Sequence, residues 1–174
     1  LFGTASQLII AHFMFGPDWE EGCPSCSFWA DGYDPMVVHL GARDVAFAAI
    51  SRAPLDKLEA YKQRMGWSFN WVSSLGYEFN QDLGVSFSED ELASGKVAYN
   101  YATGPFPVTE APGLSIFYKN NAGDIFHTYS CYARGLDMMN AAYHLLDLVP
   151  KGRDESELPS TMAWVRRNDS YDRV

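Results

Sequence analysis

The chain has 174 residues, 47% hydrophobic and 20% charged, which suits one globular domain with a sizeable core rather than two. A net charge of -9 with no basic block argues against nucleic acid and anionic membrane as partners, because phosphate binding requires clustered Lys and Arg. No apolar run approaches the roughly 20 residues that span a bilayer, and three cysteines are too few, and odd in number, for a secreted disulfide scaffold, so a cytoplasmic protein is expected.

The opening LFGTASQLIIAHFMF lacks a basic n-region and is read as no signal peptide; without an initiator Met, the true N-terminus is expected to be missing. Within it, residues 6–15 form an apolar run rich in β-formers, bounded by Gly16-Pro17, and predict a buried strand. After the motif GCPSC, residues 27–43 suit a helix that Asp34-Pro35 kinks or restarts. Residues 45–53 read as a second buried strand. Pro54 then opens a helix whose Leu55, Leu58, Tyr61 and Met65 follow helical spacing to a stop at Gly66. A third strand is expected over 69–74. Strand, helix, strand, helix, strand calls for a central sheet with parallel pairs.

Residues 75–113 break that rhythm and read as an insertion. SEDE (88–91) predicts a capping box, KVAYNYA (96–102) alternates like a strand, and GPFPVTEAPG is a loop. Residues 114–119 and 125–132 flank NNAGD as a hairpin, and 135–149 predict an amphipathic helix closed by Pro150. The domain is therefore placed at 1–150, with 151–174 a loosely attached polar tail.

Cys23 and Cys26 stand after a strand and before a helix, where unpaired backbone N–H groups favour a thiolate. Pro24 suits the first helical turn, which does not need its missing N–H. This position predicts Cys23 as the nucleophile and Cys26, one turn in, as the resolving thiol. Asp18, Glu20 and Glu21 just upstream are expected to oppose ionisation of Cys23. Zinc would have to recruit Cys131, His12, His39, His127 or His144, none with recognisable ligand spacing, so redox chemistry is preferred over a metal site or inert packing. Trp19, Phe28 and Trp29 flank the pair, and Trp19 is a candidate for lining a substrate cleft. Arg134 and Arg52 end strands and could offset the acidic loop; Tyr99, Tyr101 and Phe106 are candidates for a lid or an oligomer contact.

The stretches HFMFGPDWEEGCPSCSFWAD, AISRAPLDKLEAYKQRMGW, PGLSIFYK and FHTYSCYARGLDMMNAAYHLLD resemble a bacterial thioredoxin-like family catalogued as domain of unknown function 899, over nearly the whole chain. The resemblance implies a thioredoxin-like α/β fold, a central mixed sheet flanked by helices, here with the insertion before the C-terminal hairpin. It also implies dithiol–disulfide oxidoreductase activity and an N-terminal segment absent here. In the wider thioredoxin fold a cis-proline precedes the hairpin; Pro112 holds that place, which implies that Ala111 pairs with an extended substrate and that Pro112 keeps metal from the dithiol. The motif is closer to the glutaredoxin form, Cys-Pro-x-Cys. A peroxiredoxin pattern would need Thr or Ser where Glu20 stands and a proline one residue before Pro17.

The expectation is a thiol–disulfide oxidoreductase with no organic cofactor and no metal, acting on a disulfide-containing protein or small molecule. Composition is neutral between monomer and homodimer. The alternatives are a thiol peroxidase using Cys23 and a non-catalytic thioredoxin-fold module that binds partners or handles metal.

Overall fold

The computed structural model describes residues 1–172. Five strands form the main sheet: β1 (Gln7–His12), β2 (Val45–Ser51), β3 (Trp71–Ser73) and, after two short strands described below, β6 (Gly113–Lys119) and β7 (Ile125–Tyr132), in the order β3-β2-β1-β6-β7. β1 pairs in parallel with β2, and β2 with β3; β6 runs antiparallel to both β1 and β7. The sheet is therefore mixed, with β1 at its centre.

Alternation along β1 divides the interior. Leu8 and Ile10 face one way and join Ala48, Ile50, Phe79 and Phe117. Ala11 and the following Phe13 face the other way, into the larger cluster. That larger cluster receives α1 (Pro24–Ala30) through Cys26 and Ala30, α2 (Tyr33–Gly41) through Tyr33, and α3 (Leu55–Met65) through Leu58, Tyr61 and Met65. Both crossovers thus lie on one face, as same-handed crossovers stepping one way require. Phe13, Phe15, Tyr61, Trp67, Phe69 and Trp71 meet there in tilted and edge-to-face contacts; Phe13 and Trp71 are 4.6 Å apart.

Several elements differ from the sequence expectation for local reasons. The helix expected over 27–43 is two helices, broken at Asp31-Gly32. Pro35 sits in the first turn of α2, where it deletes no hydrogen bond, so the restart precedes it. Asp31 is drawn out of helical service: its carboxylate accepts from Trp67 Nε1 at 2.9 Å and Asn168 Nδ2 at 2.6 Å.

In the insertion, α4 (Phe79–Asp82) is followed by α5 (Glu89–Ser94), whose Ser88–Glu91 capping box is present. KVAYNYA is a hairpin, β4 (Val97–Tyr99) and β5 (Ala102–Gly104), because Asn100 and Tyr101 both take positive φ, 52° and 59°, as a two-residue primed turn demands. Val85, Phe87, Val97 and Ala111 give this insertion a small core of its own.

The helix expected over 135–149 is a 3-10 helix (Ala133–Met139) followed by α6 (Ala141–Leu146). Asn140 interrupts it at φ -89°, ψ 52°, its side-chain oxygen accepting from Trp29 Nε1 at 2.5 Å. The C-terminal tail is docked, contrary to expectation. Val165 is buried, Trp164 Nε1 donates to Tyr143 Oη at 2.9 Å, and the Trp164 ring packs on Phe28 and Tyr143. No helix among the described residues is long and apolar enough to cross a membrane.

Candidate active site

The chain leaves β1 at His12 and returns to it at once: the Cys23 N–H donates to the Met14 carbonyl at 3.0 Å, closing residues 15–22 into a loop. Lys57 Nζ pins that loop from α3, donating to the carbonyls of Pro17 (3.1 Å) and Trp19 (2.8 Å). Gly22 is required by packing, since a Cβ there would lie 2.7 Å from the Phe13 ring and 3.1 Å from that of Tyr61. Cys23 has non-helical dihedrals (φ -53°, ψ 131°) and caps α1, with Pro24 as the first helical residue, as its position predicts.

This geometry places Cys23 half-buried and Cys26 fully inside, neither of them in a disulfide. The two thiols move in opposite directions. The Cys26 S–H donates to the Cys23 sulfur, and that donation is the largest influence bringing Cys23 down to about 6. Burial opposes it; the N–H groups of Cys26 and Ser25 and the charge of Arg167 add to it. Burial first, then the hydrogen bond and charge of Cys23, push Cys26 well above the ordinary thiol range, with the Met14 N–H partly offsetting them. The more readily ionised thiol thus stands on the outer side of the pair and the less readily ionised one behind it.

Arg167 is the residue that sequence reasoning missed. Its Nη2 donates to the Gly22 carbonyl at 2.7 Å, its Nε to Tyr61 Oη at 2.8 Å, and its Nη1 lies 2.8 Å from Glu21 Oε2. Because Ser27 commits its one proton to the Cys23 carbonyl (2.9 Å), Tyr61, which accepts from Arg167, donates its own to Ser27 Oγ (3.0 Å). The guanidinium therefore holds the Gly22 carbonyl directly and is linked to the Cys23 carbonyl through Tyr61 and Ser27. Arg64 completes the clamp by pairing with Glu21 and, at 2.7 Å, with Asp169.

The other predicted residues are dispersed. Trp19 is half-buried, packed against the same core cluster as Cys23 and over Gly16. The Ala111 N–H is engaged within the chain, donating to the Val85 carbonyl at 2.9 Å. Pro112 is trans, not cis, for no cis peptide occurs among the described residues; its carbonyl accepts from Tyr99 Oη at 2.8 Å. Tyr99, from β4, stands within the electrostatic reach of Cys26, and burial takes its hydroxyl up to about 12. Arg134 is exposed and makes no ion pair among the described residues. Arg52 faces Glu110 at 3.3 Å. The acidic loop does not oppose Cys23 as expected: Asp18 and Glu20 are exposed, and Glu21 is neutralised by its two arginines. Cys131 is buried in β7, and no three His, Cys, Asp or Glu side chains gather as a metal site among the described residues.

The profile of the family described as "Bacterial protein of unknown function (DUF899)" matches residues 1–171. No curated protein matches the sequence. Among solved structures, the Xanthomonas campestris bacterioferritin comigratory protein, described by its alkyl peroxide reduction activity, superposes with a TM-score of 0.52 at 8% identity, over 80% of this chain and 77% of that one. Xanthomonas campestris peroxiredoxin Q does so at 0.50 and 11% identity, over the same shares of each chain. These neighbours are thioredoxin-fold peroxiredoxins, and the likeness establishes a thioredoxin-like fold.

Proposed function

The chain belongs to this DUF899 family of bacterial proteins, and from that premise we propose that it is a thiol–disulfide oxidoreductase in which Cys23 attacks and Cys26 resolves. The observation that carries the reading is the placement of the pair, Cys23 half-buried at the N-cap of α1 and Cys26 buried one turn behind it, with which the opposite displacement of the two thiols agrees.

The Cys23 thiolate attacks one sulfur of a substrate disulfide; the other sulfur leaves as a thiolate and takes a proton from solvent. In the resulting mixed disulfide Cys23 carries no charge. The hydrogen bond and the charge that held Cys26 protonated then disappear, leaving only burial against ionisation, while the Met14 N–H favours the thiolate. Cys26 gives its proton to solvent, its thiolate attacks the Cys23 sulfur, and the second half of the substrate leaves as a thiolate that solvent protonates. Two electrons have passed to the substrate, and Cys23–Cys26 ends as a disulfide for another dithiol to reduce. Resolution is thus timed by the first step itself.

The test is an anaerobic titration of the purified protein in glutathione buffers, with alkylation and mass spectrometry at Cys23 and Cys26 and Cys23→Ser as control. A reversible two-electron transition at roughly -180 to -270 mV, where catalytic pairs lie, supports the proposal. A pair locked in one state across that range sinks it in favour of a binding module. Accumulation of a Cys23 sulfenate under an alkyl hydroperoxide, without disulfide exchange, replaces it with a thiol peroxidase.

A further inference from the structure

A second sulfur-bearing site lies between α2 and the 3-10 helix, apart from the dithiol. There an apolar cleft of about 190 Å³ opens on the face of β6 and β7. Met36 from α2, Met138 and Met139 from the 3-10 helix, and Cys131 from β7 all line it. The burial of these four is graded. Cys131 is 6% exposed, at the floor, while Met36 and Met138 are 40% and 63% exposed, at the mouth.

Methionines that merely fill core gaps are covered by their neighbours. Here two are substantially exposed, on different elements, and with a third and a thiol they line one unfilled space whose remaining walls are hydrocarbon and the Tyr129 ring. The lining provides no carboxylate and no imidazole; Tyr129 supplies its only hydroxyl. Hard cations need oxygen donors and zinc favours thiolate with imidazole. A thiol with three thioethers is the donor set of a soft monovalent ion. The unbranched methionine chains can also draw inward onto an ion without moving the backbone.

We propose that Met36, Cys131, Met138 and Met139 form a binding site for Cu(I). On binding, the Cys131 S–H bond breaks as the S–Cu bond forms, the proton leaves to solvent, and the metal keeps its oxidation state. The three thioethers add as neutral donors. The site is independent of the Cys23–Cys26 reaction.

The experiment uses the full chain carrying Cys23→Ser and Cys26→Ser, because the dithiol would itself take Cu(I). This protein is titrated anaerobically with Cu(I) against a chromogenic Cu(I) chelator. One equivalent is expected to move from chelator to protein. Met36→Leu and Met138→Leu conserve volume and hydrophobicity, keep the fold, and should each weaken binding at least about tenfold, as loss of a metal's supporting groups typically does. Cys131→Ala should abolish it. No transfer from the chelator overturns the proposal. So does transfer that Cys131→Ala removes but both leucine variants leave unchanged, since that would be a lone thiol at work. An apolar dye that occupies the cleft while Cu(I) does not would reassign it as a hydrophobic groove.

Discussion

Replacing Arg167 tests whether the C-terminal tail belongs to the reactive centre. Its guanidinium bonds to the carbonyl of Gly22, one residue before Cys23. One residue of chain plus that bond places the charge on the order of 7 Å from the sulfur. A unit charge at that distance and an effective dielectric of about 20 is worth about 2 kcal/mol to the thiolate. Partial exposure of that side chain, 18%, lets solvent and salt screen much of this. The remainder is about 1 kcal/mol, or roughly 0.5–1 pH unit. That agrees with Arg167 being the least of the influences that lower Cys23. Arg167→Met should therefore raise the Cys23 titration by that amount.

The assay is the rate of iodoacetamide alkylation at Cys23, followed by mass spectrometry from pH 5 to 8.5. Near pH 6 the variant should react roughly threefold more slowly, because less of it is ionised. Near pH 8 both proteins are ionised and the more basic thiolate is the better nucleophile, so the variant should be faster by up to about twofold. The two profiles must cross, and Arg167→Lys should fall between them. Superposable profiles would refute the electrostatic role. A variant slower by one factor at every pH would reduce Arg167 to a support for the loop.

Cys26→Ala removes the largest influence on Cys23 and should move its titration up from about 6 toward the ordinary thiol range, by more than Arg167→Met does; absorbance of the thiolate near 240 nm against pH reads it. Gly22→Ala forces a methyl against Phe13 and Tyr61 and should destabilise the fold by about 1–3 kcal/mol in urea, with the loss of Cys23 reactivity at pH 7 as a second readout. His12 is buried, and desolvation, then His127, brings it down to about 3. Its neutral form favours folding in full above the unfolded value near 6.5, and that stability is lost as pH falls through that value toward 3. Stability should drop by several kcal/mol between pH 7 and 4, and His12→Asn should flatten this slope; an unchanged slope would assign acid lability to other groups.

Which of these features the sequence disclosed follows from the range of the interactions involved. The sheet, the first two crossovers and the placement of Cys23 and Cys26 depend on periodicity and on Pro24, which act within a few residues, and all were legible. The break at Asn140 was not, because the residue reads as one polar position on a helix until Trp29, 111 residues away, takes its side-chain oxygen. The YNYA hairpin carried a usable signal, an Asn in the first of two adjacent positive-φ positions, hidden by the regular alternation around it. Arg167 is hidden for the same reason. Arg134 follows a strand near the hairpin and looked close; Arg167 lies 145 residues from Gly22, in a run of charges that reads as solvated tail. Only the pairing of Glu21 with Arg64 and Arg167, and of Arg64 with Asp169, turns that run into a strap.

That strap matters because the field of the whole chain works against the chemistry. At a net charge of -9 the surface disfavours another anion, and a thiolate is one. Charges beyond about 8–10 Å are screened by salt, so what decides the state of Cys23 is its immediate shell. The shell has two kinds of member. The Cys26 S–H and the Ser25 and Cys26 N–H groups lie within one turn of chain, are short-ranged and are indifferent to salt. The Arg167 charge comes from the far end of the sequence, and its side chain is 18% exposed. It is the share that ionic strength, or release of the tail, can reach. The local hydrogen bonds alone would leave a reactive thiolate. Adding the strap extends the ionised range to lower pH only while the tail is docked, and so ties the degree of ionisation of one sulfur to the completeness of the fold.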